Sequence, residues 1–282
     1  MPELRPYRGD YYLWLYIPSP AAGGLFTALF ALGTAAVVWR MVKCRAWFSI
    51  VFVIGGLLEV AGYAARAVSE NRTEQLMPYV IQSTFILVAP ALFAASVYMS
   101  LGRIIRSINA ESFSIVPVRW LTMIFVCGDV VSFVVQASGA GVMVTADSME
   151  MGENIILGGL FVQIIIFGLF AVTAAIFHVR VRRYGMSAAL EHDTHWEKLM
   201  IMLYVVSVLI MVRSVFRVVE YIMGHDGYLL AHEWTLYVFD ALLMFGVVVV
   251  FAWRFPGNLR PAKLDTEESV RIQQEDVVAR EK

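Results

Sequence analysis

Apolar residues in this chain fall into seven long runs, at about 21–39, 47–68, 79–101, 120–140, 154–178, 199–223 and 234–253, with short polar stretches between them. A helix of about 20 apolar residues crosses the hydrocarbon core of a bilayer. The last run, TLYVFDALLMFGVVVVFAW, is the cleanest. The pattern predicts an all-α membrane protein, a bundle of seven transmembrane helices over 21–257. A short segment, 1–20, precedes it, and Pro256-Gly257 ends the last span. Residues 258–282 carry both charge signs and few large apolar side chains, which predicts a solvated, disordered tail. Pro90 lies mid-span in LVAPALFAAS, where a missing backbone donor bends a helix unless a neighbour compensates; the bend would be a packing kink or a hinge. A short helix is expected within 184–198.

Polar positions inside the runs carry the most information. Seven are charged: Glu59, Arg66, Asp129, Arg213, Arg217, Glu220 and Asp240. Each costs roughly 2.5–3.5 kcal/mol at the centre of a membrane helix, so they are expected to face inward. Helical spacing groups them. Gly55, Glu59, Gly62 and Arg66 share one face of the second run. Arg213, Arg217, Glu220 and Gly224 share one in the sixth. Asp129, Ser132 and Gln136 do so in the fourth, and Glu233, Tyr237, Asp240 and Met244 in the seventh. Gln82 and Gln163 add polar groups from the third and fifth. Most of these fall in the half of the bundle away from the basic loops, which suggests a polar pocket closed on one side by an apolar half. Three arginines against four carboxylates leave one carboxylate that must hold a proton or meet a cation. Glu59, Asp129, Glu220 and Asp240 are the candidate ligand-binding or proton-carrying groups. Arg66, Arg213 and Arg217 are the candidate charge-pairing or anion-binding groups, and Gln82, Gln136, Gln163 and Tyr237 complete the pocket. A purely structural salt-bridge network that fixes helix register would use the same residues.

Composition agrees with the runs: of 282 residues, 59% are hydrophobic and 16% charged, against about 45–50% and about 25% in soluble domains. The charge distribution orients the bundle. Arg40, Lys43, Arg45, Arg103, Arg106, Arg119, Arg180, Arg182, Arg183 and Lys198, with six more in and before the tail, lie on one side. Only Arg5, Arg8 and Arg72 lie on the other. The positive-inside rule puts the N-terminus outside and the C-terminus in the cytosol. No cleavable signal-peptide pattern occurs in residues 1–20. Asn71-Arg72-Thr73 is a possible N-glycosylation site on the outer side. Cys44 is a juxtamembrane thiol open to palmitoylation, and Cys127 lies at mid-depth, so no disulfide is expected.

Several chemistries lack their residues. No phosphate-binding G-x-x-x-x-G-K-[ST] loop, H-E-x-x-H or G-x-S-x-G occurs, and the last span has no lysine for a retinal Schiff base. All five histidines sit at span ends or in loops. His225, Asp226, His232 and Glu233 allow an outer-face metal site, but they read as ordinary loop residues. No metal, no cofactor and no nucleic-acid partner is expected, and the oligomeric state is left open.

The runs also carry motifs in a fixed order: GGLLEVAGYAAR (55–66), LVAPALFAASVYMSLGRII (87–105), FVCGDVVSFVVQASGAG (125–141), GGLFVQIIIFGLF (158–170), LIMVRSVFRVVEYIMG (209–224) and HEWTLYVFDALLMF (232–245). Together they resemble the fungal lipid-translocating exporter family of resistance-to-aminocholesterol-like proteins, which includes sphingoid long-chain-base exporters. The likeness covers residues 15–260. It implies a multi-pass protein of the fungal plasma membrane, not an enzyme, that moves lipid-like amphiphiles and confers export or resistance. Its partners would be membrane lipids and an amphiphilic small molecule. One departure is Phe255, where the family more usually has a histidine before Pro-Gly. A seven-span receptor fits the same topology, although no D-R-Y-like triplet or N-P-x-x-Y is present. An intramembrane lipid-modifying enzyme has no nucleophile or ligand motif to support it.

Overall fold

The computed structural model describes Tyr16 and residues 18–71, 75–143, 149–183, 195–223 and 232–257. Seven helices among them are long and apolar enough to cross a membrane. They are α1 Pro20–Lys43, α2 Ile50–Val68, α3 Leu76–Ser107, α4 Val118–Met143, α5 Met149–Arg183, α6 His195–Ile222 and α7 Glu233–Trp253. No strand occurs among the described residues. Every apolar run is thus a helix. Several extend past the expected limits, because charged residues such as Arg106 and Arg183 continue the helix beyond the hydrocarbon. The helix sought in 184–198 lies outside the described residues as far as 194, and α6 begins at His195. Asn71 ends a short 3₁₀ turn, and the rest of its sequon lies outside the described residues.

Local chemistry sets the helix ends. Ser19 Oγ accepts from the Ala22 backbone N–H at 3.4 Å and Pro20 opens α1, the residue types favoured at those positions. Both α1 and α3 stop in the same way. After α1, Arg45 N–H donates to Val42 O at 3.2 Å and Ala46 N–H to Met41 O at 3.0 Å. After α3, Asn109 N–H donates to Arg106 O at 3.2 Å and Ala110 N–H to Ile105 O at 3.1 Å. Arg45 and Asn109 have φ of 52° and 51°. This pair of bonds around one left-handed residue satisfies carbonyls that a helix end leaves bare.

Consecutive helices pack side by side, α7 closes against α1, and α3 also touches α6 across the ring. Leu32, Val131, Ile165, Val208 and Leu242 stay exposed on the outside, as lipid-facing side chains should. Inside, the end that carries the basic residues is sealed by aromatic rings. Phe52 stacks on Phe251 at 3.9 Å and lies 4.5 Å from Phe93, and Tyr98 packs among Phe125, Phe167 and Phe170. Trp39, Trp47, Trp120 and Trp253 are exposed around this same end. Amphipathic rings settle at the headgroup level of a bilayer, so they mark where the interface lies.

α3 continues through Pro90 as one helix. Proline cannot donate to the carbonyl four residues back, that of Ile86. Arg213 Nη2 donates to Ile86 O at 3.0 Å instead. The gap in α3 therefore becomes a docking point for a buried arginine of α6.

Candidate functional site

Two polar layers occupy the bundle beyond the aromatic seal. The upper one gathers around Arg66, whose side chain is 1% exposed. Its Nε donates to Tyr237 Oη at 3.0 Å, Nη1 to Gln82 Oε1 at 3.2 Å, and Nη2 to Tyr16 Oη at 2.8 Å and to Glu233 Oε1 at 2.9 Å. The Glu233 carboxylate also accepts from Ser19 N–H at 2.9 and 3.1 Å. One arginine of α2 thus ties together the starts of α1, α3 and α7. Tyr16 and Tyr237 also present ring faces to its guanidinium, at 5.5 and 5.3 Å.

The central layer lies two turns along α2 from Arg66, about 10 Å at 1.5 Å per residue. Arg213 Nε donates to Asp240 Oδ1 at 2.7 Å. Arg217 Nη2 stands 3.5 Å from Asp240 Oδ2, and its Nη1 donates to Glu220 Oε2 at 2.8 Å. Asp240 and Tyr237 belong to a π-helical turn, Tyr237–Ala241, within α7. Such single-turn widenings are frequent at functional sites. Glu59 is fully buried in this layer, within electrostatic reach of Asp240, Arg213 and Arg217. Neither of its carboxylate oxygens has a hydrogen-bond partner. One turn above it, Tyr63 Oη is also buried without a hydrogen-bond partner, its ring stacked on Phe30 at 5.4 Å.

The remaining polar residues lie apart from these layers. Tyr98 Oη donates to Asp129 Oδ2 at 2.9 Å, and Asp129 Oδ1 is buried without a hydrogen-bond partner. Gln136 Nε2 donates to Gln163 Oε1 at 3.1 Å and to Ser132 Oγ at 2.9 Å, while Ser132 Oγ donates to Gly159 O at 2.6 Å. These bonds clamp α4 to α5. Among the described residues, Gln136 and Gln163 are therefore helix-pairing groups rather than neighbours of the Arg66 network.

The charge balance differs from the sequence expectation. Arg66 takes Glu233, a residue at the edge of the last run that the four-carboxylate count leaves out. Arg213 and Arg217 take Asp240 and Glu220. Two carboxylates, Glu59 and Asp129, then have no arginine within ion-pair distance among the described residues. Spacing puts Glu233 on one face with Tyr237 and Asp240, but its place just before the 234–253 run keeps it out of the count of charges inside the runs. Tyr98 gives no signal, since a tyrosine inside an apolar run reads as packing, and Tyr16 lies before the first run, where an aromatic side chain reads as an interface group. His232 begins α7, while His225 and Asp226 of the candidate metal set lie outside the described residues. No three His, Cys, Asp or Glu side chains among the described residues are grouped as metal ligands.

Comparison with known proteins gives the family. Residues 52–263, which contain every charged residue of both layers, match the family described as RTA1 like protein. The chain is 37% identical to Protein RTA1 of Saccharomyces cerevisiae, over 93% of this chain and 90% of that protein. It is 41% identical to Protoporphyrin uptake protein 1 of the same yeast, over 74% of this chain and 69% of the relative. Sphingoid long-chain base transporter RSB1, also from this yeast, is 26% identical over 83% of this chain and 73% of its own length. No solved structure matches the chain. A match over three-quarters of the sequence, with seven membrane-length helices to carry it, makes this chain a member of the RTA1-like family of multi-pass membrane proteins.

Proposed function

We propose that this protein translocates lipid-like amphiphiles across the plasma membrane, with the N-terminus outside and the C-terminus in the cytosol, and that it is not an enzyme. The observation that carries the reading is Glu59: a carboxylate sealed in the bundle with no hydrogen-bond partner, beside an aspartate that two arginines already hold. A buried carboxylate without a partner is costly, and it is retained where a proton or a cationic group comes to it. An amine headgroup meeting Glu59 would displace the proton there, while its hydrocarbon chain stays between helices facing lipid. Arg213 and Arg217 hold Asp240 away from that exchange, so Glu59 meets the headgroup while Asp240 and Glu220 position the arginines. Asp129, on the far side of α3, offers a second unpaired carboxylate nearer the basic end.

The relatives' names support an amphiphilic cargo and divide on its charge. A sphingoid base carries an amine, whereas protoporphyrin carries carboxylates. The excess of carboxylates over arginines in this chain favours the amine. With no ATP-binding loop, uphill movement would draw on an ion gradient.

Purified protein in phosphatidylcholine liposomes, given a labelled sphingoid base and a labelled uncharged lipid together, tests the proposal. Transbilayer movement of the base is expected to rise at least tenfold over empty liposomes, with the uncharged lipid lagging and the rate responding to an imposed pH gradient. Binding of the base without movement would replace the translocator with a receptor.

A further inference from the structure

At the basic end, away from both polar layers, a cleft of about 320 Å³ opens between the start of α2, the end of α3 and the start of α4. Phe48, Gly102, Arg103, Arg106, Val118 and Thr122 line it. We infer that this cleft binds the phosphate headgroup of an anionic membrane lipid in the leaflet at the basic end.

Charge is the first support. Arg103 is half-buried and its guanidinium lies over the Phe48 ring at 4.2 Å. Among the described residues no carboxylate is within ion-pair distance of it. Arg106, one turn along the same helix, meets only Glu111 at 3.8 Å, and both of those side chains are exposed. An exposed pair at that distance contributes little. Two guanidinium groups one helical turn apart suit the several oxygens of one phosphate, which arginine recognises by its planar fork.

Depth is the second. Trp47, next to Phe48, and Trp120, midway between Val118 and Thr122 in the sequence, are exposed to the outside of the bundle, as are Trp39 and Trp253 around the same end. These rings place the cleft at the headgroup level, where a phosphate would sit. Shape is the third. The cleft has an apolar wall of Phe48, Met99 and Val118, continuous with the lipid-facing Met123. There is room beside Gly102, where a Cβ would make only ordinary contacts with Val118 and Thr122, at 3.7 and 3.8 Å. Acyl chains could then leave sideways into the bilayer. Basic pockets between membrane helices on the cytoplasmic side bind such headgroups.

The test is native mass spectrometry of the full-length protein released from nanodiscs of phosphatidylcholine with one-fifth phosphatidylserine. Wild type is expected to retain phosphatidylserine. Arg103→Gln/Arg106→Gln should lose that retention at least tenfold. Arg182→Gln/Arg183→Gln, which removes the same charge from the same end but outside the cleft, should keep it within twofold. Arg106→Gln alone, at an exposed site, provides a variant that folds, and is expected to lose retention at least threefold. Equal losses in both double variants would reduce the effect to general surface charge and overturn the site. So would a wild type that keeps phosphatidylcholine and phosphatidylserine equally, or one that, without anionic lipid, carries a phosphate adduct from 10 mM inorganic phosphate at the same occupancy.

Discussion

Glu59 and Asp240 are two buried carboxylates a short distance apart in one layer, and the structure gives them opposite expectations. Asp240 accepts from Arg213 and faces Arg217, so Asp240→Asn leaves the buried Arg213 without its counter-charge, while Arg217 keeps Glu220. Removing one partner of a buried pair costs about 3–5 kcal/mol. This variant is expected to lose most of its folded yield, measurable by size-exclusion chromatography after mild solubilisation. Glu59→Gln removes a charge that holds nothing, so its folded yield should match wild type while transport fails. A reversed order, with Glu59→Gln misfolding and Asp240→Asn intact, would mean that Glu59 is the structural member. At this scale much of the site was legible. A charge in an apolar run is conspicuous, and helical spacing puts Glu59 and Arg66 on one face. Their partners were not legible. Glu59 and Arg66 share a helix, yet Arg66 reaches to Glu233 across the bundle, because helix neighbours are set by packing that no single run contains.

Among the elements, the α4–α5 pair and the α3–α6 pair are the most specifically built. A Cβ at Gly139 would stand 2.8 Å from Gly152 O and 2.9 Å from the backbone nitrogen of Ile156, whereas one at Gly141 meets nothing within 4 Å. Gly139→Ala is therefore expected to destabilise by about 1–3 kcal/mol through overpacking. Gly141→Ala, two residues on in the same helix, should be neutral or stabilising by up to about 1 kcal/mol through helix propensity. Unfolding in mixed micelles distinguishes them, and equal effects would mean that α4 and α5 do not approach this closely. For α3 and α6, Pro90 and Arg213 should be coupled. Pro90→Ala restores a donor to Ile86 O, so Arg213→Gln should cost less in that background than in wild type, by about 0.5–1.5 kcal/mol, the range for polar contacts between membrane helices. Additive effects would show that the Ile86 carbonyl is not what Arg213 supports. The sequence pointed to a bend at Pro90 but not to its remedy, since the compensating Arg213 is 127 positions from the Ile86 carbonyl it serves. The π-helical turn at Tyr237–Ala241 was equally hidden, because its residues are ordinary for an α-helix.

For the whole molecule, the seven spans were legible because a bilayer imposes one length and one polarity on every helix that crosses it. Which helices touch was not, and α3 against α6 emerges only from the folded ring. The ring explains how one chain supports two unlike demands. Its basic end is filled by phenylalanine rings and girdled by tryptophans, and its other half keeps four carboxylates and three arginines away from lipid. An amphiphile moving through such a bundle would exchange contacts with lipid-facing side chains along its tail while its headgroup passes a chain of polar groups from Arg66 to Glu59. The most direct measurement is the initial rate of sphingoid-base movement in liposomes carrying equal amounts of folded wild-type or Glu59→Gln protein. A wild-type rate well above empty liposomes that falls at least tenfold in the variant is the expected result. Equal rates in the two would contradict the role given to Glu59, and with it the account of how this bundle works.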